Sequence, residues 1–438
     1  MSGSGSICYR GNLHPVAIDI TNTPSKPSRA SGMFRALQHR NYRLFWSGAF
    51  LSNIGTWMQG VAQGLLMYKL TKSAFWLGLD GFMATVPGLF LTLVGGVFAD
   101  IIDRRRLLLL TQVGAGLSAF ILACLVVTDK VHPVEILVLT FITGCCMSLA
   151  GPSYQALTVE LVGREDLANA IALNSTQFQL SRVIGPALAG AALDVIGVAG
   201  CFFANAFSYL AVLAALLLVK FEHKGSSEHP SLKSKRPGMF LKDLKAGLAY
   251  VRRRPRIFWF LIITASTSLL GAPYLTMLPV FAHYVFNLGD TGLAVLMGVA
   301  GAGSVVGALL LAFLGDFRRK GVAVFAGTLV FSIFLVVFSL STNLRLSLIS
   351  LFGMGFAVVI AIAVINTLLQ QLVTDEMRGR VMSMFILSFI GAMPFGNLIA
   401  GFASHIFGVQ HTLAVMGIIL FCILLILAIK NKRLWAVK

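Results

Sequence analysis

Gly96-Val-Phe-Ala-Asp100-Ile-Ile-Asp103-Arg104-Arg105-Arg106 and, roughly half a chain later, Gly315-Asp316-Phe317-Arg318-Arg319-Lys320 are short acidic–basic knots, each between two long apolar runs. Each follows the second apolar run of its half. A charged loop this short buries nothing of its own. Its recurrence points to two copies of one membrane bundle, related as parallel repeats.

The composition demands a solvent other than water. Of 438 residues, 57% are hydrophobic and 12% charged, against about 25% charged in an ordinary soluble domain. A spanning helix needs roughly 20 apolar residues. Such runs begin near Leu44, Phe75, Leu107, Val134, Ala168, Cys201, Ile257, Leu293, Val322, Leu346, Val381 and Thr412. Backbone groups in lipid must pair internally, which favours helices. The runs lack the alternation of an outer-membrane barrel strand. The expected fold is an all-α integral membrane protein with twelve transmembrane helices.

The net charge of +18 is explained by its placement. With odd-numbered connections outside, only Lys69, Lys72, Lys130 and Arg345 fall there and Arg182 falls within a span. The other thirty of the 35 basic residues lie on the inner side. This bias predicts a multi-pass protein of the cytoplasmic (inner) membrane with both termini cytoplasmic. The basic surface then meets anionic lipid headgroups, and nucleic acid is not expected as a partner. The polar tail, residues 1–40, is expected to be disordered and carries no signal-peptide pattern. The six cysteines form no CxxC pair and read as small buried hydrophobes.

Residues 221–256 form the longest non-apolar interior stretch and separate a first bundle, 41–220, from a second, 257–430, followed by a tail, 431–438. Within that linker Leu241, Leu244, Leu248 and Val251 have the spacing of an amphipathic helix lying on the membrane surface. The halves align without gaps from Glu160–Gly190 to Gln371–Gly401, with 7 of 31 positions identical, among them Gly185/Gly396, Ala189/Ala400 and Gly190/Gly401. The fold is therefore expected as two pseudo-symmetric six-helix bundles with a substrate site between them.

Gly96-x-x-x-Asp100-x-x-x-Arg104-Arg105 resembles the loop motif between spans two and three of the major facilitator superfamily. Ser181-Arg182-Val-Ile-Gly185-Pro186-Ala-Leu-Ala189-Gly190 resembles its fifth-span motif associated with antiporters. Ser52-Asn53-Ile-Gly55-Thr56-Trp57-Met58-Gln59 and Arg164-Glu-Asp-Leu-Ala-Asn169-Ala-Ile-Ala-Leu-Asn174 are similar to the bacterial exporter branch containing the enterobactin exporter and macrolide efflux pumps. The chain departs from the loop pattern at Ile101 and Asp103, and from the fifth-span pattern at Ser181 and Ala189. The resemblance implies that Asp100 contacts the start of span eleven near Arg378 and Arg380. With Gly96, Arg104, Arg105 and Asp316 it would latch an inner gate; the plainer reading is a solvated loop.

Arg182 is the one basic residue well inside a span, where arginine costs about 2.5–3.5 kcal/mol on insertion scales. Counting about 21 Å up the fifth span and the same distance up the eighth places Arg182 opposite Gly301, Ala302 and Gly303. Gly303 and Gly307 have a spacing that permits close helix approach, and Gly185, Pro186 and Gly190 are assigned to packing. Arg182 could bond exposed backbone, bind an anionic cargo group or hold a proton-dependent partner. Asn53, Trp57, Gln59 and Gln63 make the first span unusually polar. The resemblance implies that spans one, four, seven and ten line the cavity, which adds Tyr154, Tyr274, Asn366 and Gln370 as cargo contacts. Interhelical hydrogen bonding is their structural alternative. Asp80, counted close to the outer surface, is the proton-coupling candidate. Pro273 and Pro279 mark the seventh span for bending.

No Walker phosphate loop, HExxH or GxSxG motif is present. The expectation is a monomeric secondary active transporter without cofactor or metal. It would export a small or medium organic molecule, drug- or siderophore-like, by proton-coupled alternating access. An importer or lysophospholipid flippase of the same fold, or a non-transporting receptor, is the alternative.

Overall fold

The computed structural model describes residues 34–101, 103–219, 247–315, 317–431 and 435, with side chains of 92–101 excepted. The helices are α1 (Arg40–Thr71), α2 (Ala74–Ile101), α3 (Arg104–Val127), α4 (Pro133–Val162) and α5 (Leu167–Leu218). After the linker come α6 (Pro255–Leu270), α7 (Tyr274–Val280), a π-helical turn (Phe281–Val285), α8 (Gly289–Leu314), α9 (Lys320–Leu340), α10 (Leu344–Leu372), α11 (Asp375–Ile390), α12 (Met393–Phe407) and α13 (Val409–Lys430). Every described regular element is helical.

These helices make twelve crossings. Ten described stretches are long and apolar enough to span a bilayer. One of them, α5, is two crossings joined at Gly197, whose φ of +65° only glycine adopts without strain. The remaining crossing is α1, which Asn53, Gln59 and Gln63 make too polar to register by composition. Spans seven and eleven are each broken in two. The seventh interrupts at 271–273, next to Pro273, and the eleventh at 391–392, just before Pro394.

Local signals set the ends. Asp103 accepts from the Arg106 amide at 3.1 Å and starts α3. Asn343 accepts from the amides of Arg345 and Leu346 and starts α10. Thr328 and Ser304 donate to the carbonyls of Val324 and Ala300 one turn back, so their buried hydroxyls need no solvent. Outward faces carry exposed Leu110, Phe207, Leu309 and Ile349, as expected where lipid is the solvent.

Packing repeats between halves. In the first, α1 lies on α5 and α2 on α4; in the second, α8 and α9 lie on α10. The main contacts between halves are α2 on α12 and α8 on α5. A two-fold relation exchanges span two with eight and span five with eleven, so these seams are mates. The aligned glycines serve both copies alike. A Cβ on Gly185 would meet that of Trp57 at 2.5 Å on α1, and one on Gly396 would strike the Leu269 carbonyl on α6. A Cβ on Gly190 would lie 3.1 Å from that of Ala294 on α8, and one on Gly401 2.7 Å from the Gly78 Cα on α2.

The close approach that the Gly303 and Gly307 spacing permits is made within the second half, where their missing side chains admit the carbonyls of Phe352 and Phe356 on α10. One expectation needs correcting. The tail expected to be disordered through residue 40 is ordered over its last residues. Arg35–Gln38 form a 3₁₀ turn docked on the start of α5. Arg35 and His39 pair with Asp166 at 3.1 and 2.8 Å, the Ala36 amide donates to Asn169, and Tyr42 donates to the Ala170 carbonyl. Of the linker, 220–246 lies outside the described residues. A helix is present over 247–252, with Val251 buried and Leu248 exposed.

Candidate transport cavity

A cavity of about 390 Å³ lies in the half of the bundle nearer the short hairpin connections, away from the linker. Its walls come from α1 to α5, closed on the far side by α7, α8 and α12. Span ten contributes none of the lining residues, and the space is offset into the first half.

The polar groups form one ladder. Ser208 donates to the Asn205 side-chain oxygen at 3.0 Å, Asn205 donates to Gln59 at 2.6 Å, and Gln59 donates to Gln63 at 3.4 Å. The Gln63 amide reaches both oxygens of Asp80 at 3.0 and 2.9 Å, and Thr140 donates to Asp80 at 2.8 Å. Among the described residues no cation pairs with Asp80. Both partners, Gln63 and Thr140, are neutral, so gain or loss of a proton there would change the charge of the wall by a full unit. Across the cavity Thr276 donates to Asn397 at 3.1 Å, and the Asn397 amide nitrogen is buried without a partner.

The cavity thus brings together Trp57, Gln59, Gln63 and Asp80 from the sequence-predicted set. Arg182 sits beyond the wall, its guanidinium 5.3 Å from the Trp57 ring centroid and its carbonyl against Gly301. Tyr274 is buried against Phe331, ring centroids 6.1 Å apart. The others are elsewhere. Asn53 is partly buried on α1 and does not line the space. Tyr154 packs on Phe45 at 4.8 Å inside the first half, and Gln370 donates to Asn366 at 2.6 Å near the linker end of α10.

Thr140, Asn205, Thr276 and Asn397 were missed by sequence reasoning. Depth would have found Thr140. It lies seven residues past the start of α4, Asp80 six past the start of α2, and Gln63 eight before the end of α1. At 1.5 Å per residue all three fall about 9–12 Å from the hairpin end.

Above the cavity the halves are closed by polar contacts. Lys69 at the end of α1 pairs with Asp290 at the start of α8; His283 lies 3.8 Å from the same carboxylate, and Ser73 meets His405 at 3.4 Å. Gly64 admits the Pro279 ring, which a Cβ would meet at 3.1 Å. At the opposite end Arg104 lies 4.0 Å from Glu160, Arg105 donates to the Leu217 carbonyl, and Arg378 pairs with Asp375 at 2.5 Å. Arg380 donates to the Met377 sulfur. The side chain of Asp100 and all of Asp316 lie outside the described residues, as does the contact expected between Asp100 and α11; Gly96 lies on α2.

A twelve-crossing bundle of two matched halves, with a largely apolar cavity that carries one polar ladder, defines a solute transporter of the major facilitator fold. The model of the transmembrane secretion effector family, within that superfamily, matches residues 31–436, and the chain belongs to this family. It is 25% identical over 395 residues to the staphyloferrin A transporter of Staphylococcus aureus, covering 90% of this chain and 96% of that one. It is 27% identical over 347 residues to the enterobactin exporter of Citrobacter koseri, covering 78% and 80%. Among solved structures, the nucleoside transporter NupG superposes with a TM-score of 0.70 at 12% identity, covering 88% of this chain and 99% of that one. That likeness concerns the fold.

Proposed function

We propose that the chain is a secondary active exporter of an amphipathic organic molecule of small to medium size, working by alternating access. The observation that carries this reading is the cavity wall shared by the two halves, with a hydrogen-bond ladder along the first half and a closed polar seam above it. Transport then consists of parting the Lys69–Asp290 seam while the linker ends approach. The Arg104 and Arg105 loop, with Gly96, Asp100, Asp316 and the α11 arginines Arg378 and Arg380, latches the linker side. The outward direction and siderophore-like cargo follow the relative described as an enterobactin exporter.

The linker end faces the cytoplasm of the inner membrane, where its basic residues meet anionic lipid. Asp80 carries the coupling proton: it is the carboxylate in the cavity wall, and its hydrogen-bond partners allow either protonation state. One six-plus-six bundle holds the whole cavity, so a monomer suffices.

Counterflow tests the reading. Proteoliposomes loaded with unlabelled enterobactin are expected to take up labelled enterobactin transiently above protein-free vesicles. A flat trace for enterobactin, staphyloferrin A and a panel of amphipathic drugs would overturn it.

A further inference from the structure

We propose that Arg182 and Tyr274 form an anion-recognition subsite behind Trp57, which selects cargo bearing a carboxylate. The inference rests on the transporter reading above and names the substrate class of the same site.

The argument is an imbalance of donors. Every carboxylate ion pair among the described residues goes to another cation: Asp166 to Arg35 and His39, Asp290 to Lys69 and His283, Glu160 to Arg104, Asp375 to Arg378. Asp80 is occupied by Gln63 and Thr140. Arg182 has neither an ion pair nor a side-chain hydrogen bond among them; its guanidinium lies over the face of Trp57. A guanidinium presents five N–H donors and no acceptor.

Tyr274 approaches from the other half. Its ring is 3% exposed, its hydroxyl is buried with no hydrogen-bond partner, and it lies within Coulombic range of Arg182. A phenol buried without a partner at membrane depth is costly, and the partly buried Arg182 guanidinium has no acceptor from the protein among the described residues. One ligand class satisfies both: a planar anion that accepts the guanidinium fork on two oxygens and the phenol on one. A neutral amide would set its own N–H groups against them.

The position also links binding to movement. Arg182 belongs to α5 and Tyr274 to α7, one on each side of the seam, and the Arg182 carbonyl rests on Gly301 of α8. An anion held by both side chains ties the halves together at mid-depth. Trp57 lines the cavity and its ring also lies against Arg182.

The test uses the purified full-length chain in detergent and two probes of matched shape, 2-naphthoxyacetate and 2-naphthoxyacetamide, titrated by calorimetry near neutral pH. A hydrogen bond to a charged group is worth about 1.5–3 kcal/mol, so the wild type is expected to prefer the anion at least about tenfold. Arg182→Gln should bring the anion-to-amide ratio close to one, and Tyr274→Phe should lower it about threefold. Arg182→Lys keeps the charge and loses the fork; it should retain part of the preference, and it carries the test should Arg182→Gln not fold. A wild type with no preference or no binding overturns the proposal, as does an arginine variant with undiminished preference. Counterflow of both probes by a wild type without preference would sink the subsite and leave the transporter standing. Absence of counterflow for any cargo sinks the transporter itself.

Discussion

Asp80 is held by Gln63 and Thr140, neutral donors from two other helices. If it carries the coupling proton, Asp80→Asn should lower uptake driven by a proton gradient in inverted vesicles by at least about tenfold. Counterflow, which needs no gradient, should survive. Equal gradient-driven rates in wild type and variant would remove Asp80 from the mechanism. Counting along one helix places it near the hairpin end of α2 but does not give the direction it faces. The sequence therefore made it look peripheral, while the partners that turn it into the cavity stand on α1 and α4. Arg182 was legible for the opposite reason: a lone charge in an apolar run stands out whatever surrounds it. Tyr154 and Asn366 lie on spans chosen by analogy, and there the packing against Phe45 and the bond to Gln370 decide their place.

At the scale of the helix, small residues decide which neighbours touch. A methyl on Gly303 would enter the Phe352 carbonyl, whereas one on Gly60 meets nothing within 4 Å and faces the cavity. Gly303→Ala should cost about 1–3 kcal/mol, the range for overpacking, and lower the melting temperature in detergent. Gly60→Ala should leave it unchanged. A Gly303→Ala protein as stable as wild type would mean that α8 and α10 are free to separate. The spacing of Gly303 and Gly307 announced a close helix contact, but a spacing names no partner. Only the three-dimensional arrangement shows that they face α10 while Gly301, two residues earlier, faces Arg182. Helix number and boundaries were more accessible, because apolar run length, caps at Asp103 and Asn343, and glycine at 197 act locally.

For the whole molecule, the internal repeat in sequence and the paired seams in space are one fact seen twice. The identical positions Gly185/Gly396 and Gly190/Gly401 lie at equivalent contacts, the first packing each half internally and the second joining the halves. Two halves that meet chiefly along two glycine-lined seams, α2 on α12 and α8 on α5, can pivot along those seams. Pivoting requires the Lys69–Asp290 contact to break in every cycle. The direct measurement is transport by Lys69→Cys/Asp290→Cys in a background with the native cysteines replaced by alanine. Oxidation is expected to cross-link α1 to α8 and bring transport to the protein-free baseline, with recovery on reduction. Transport at the full rate through the cross-linked protein would contradict alternating access.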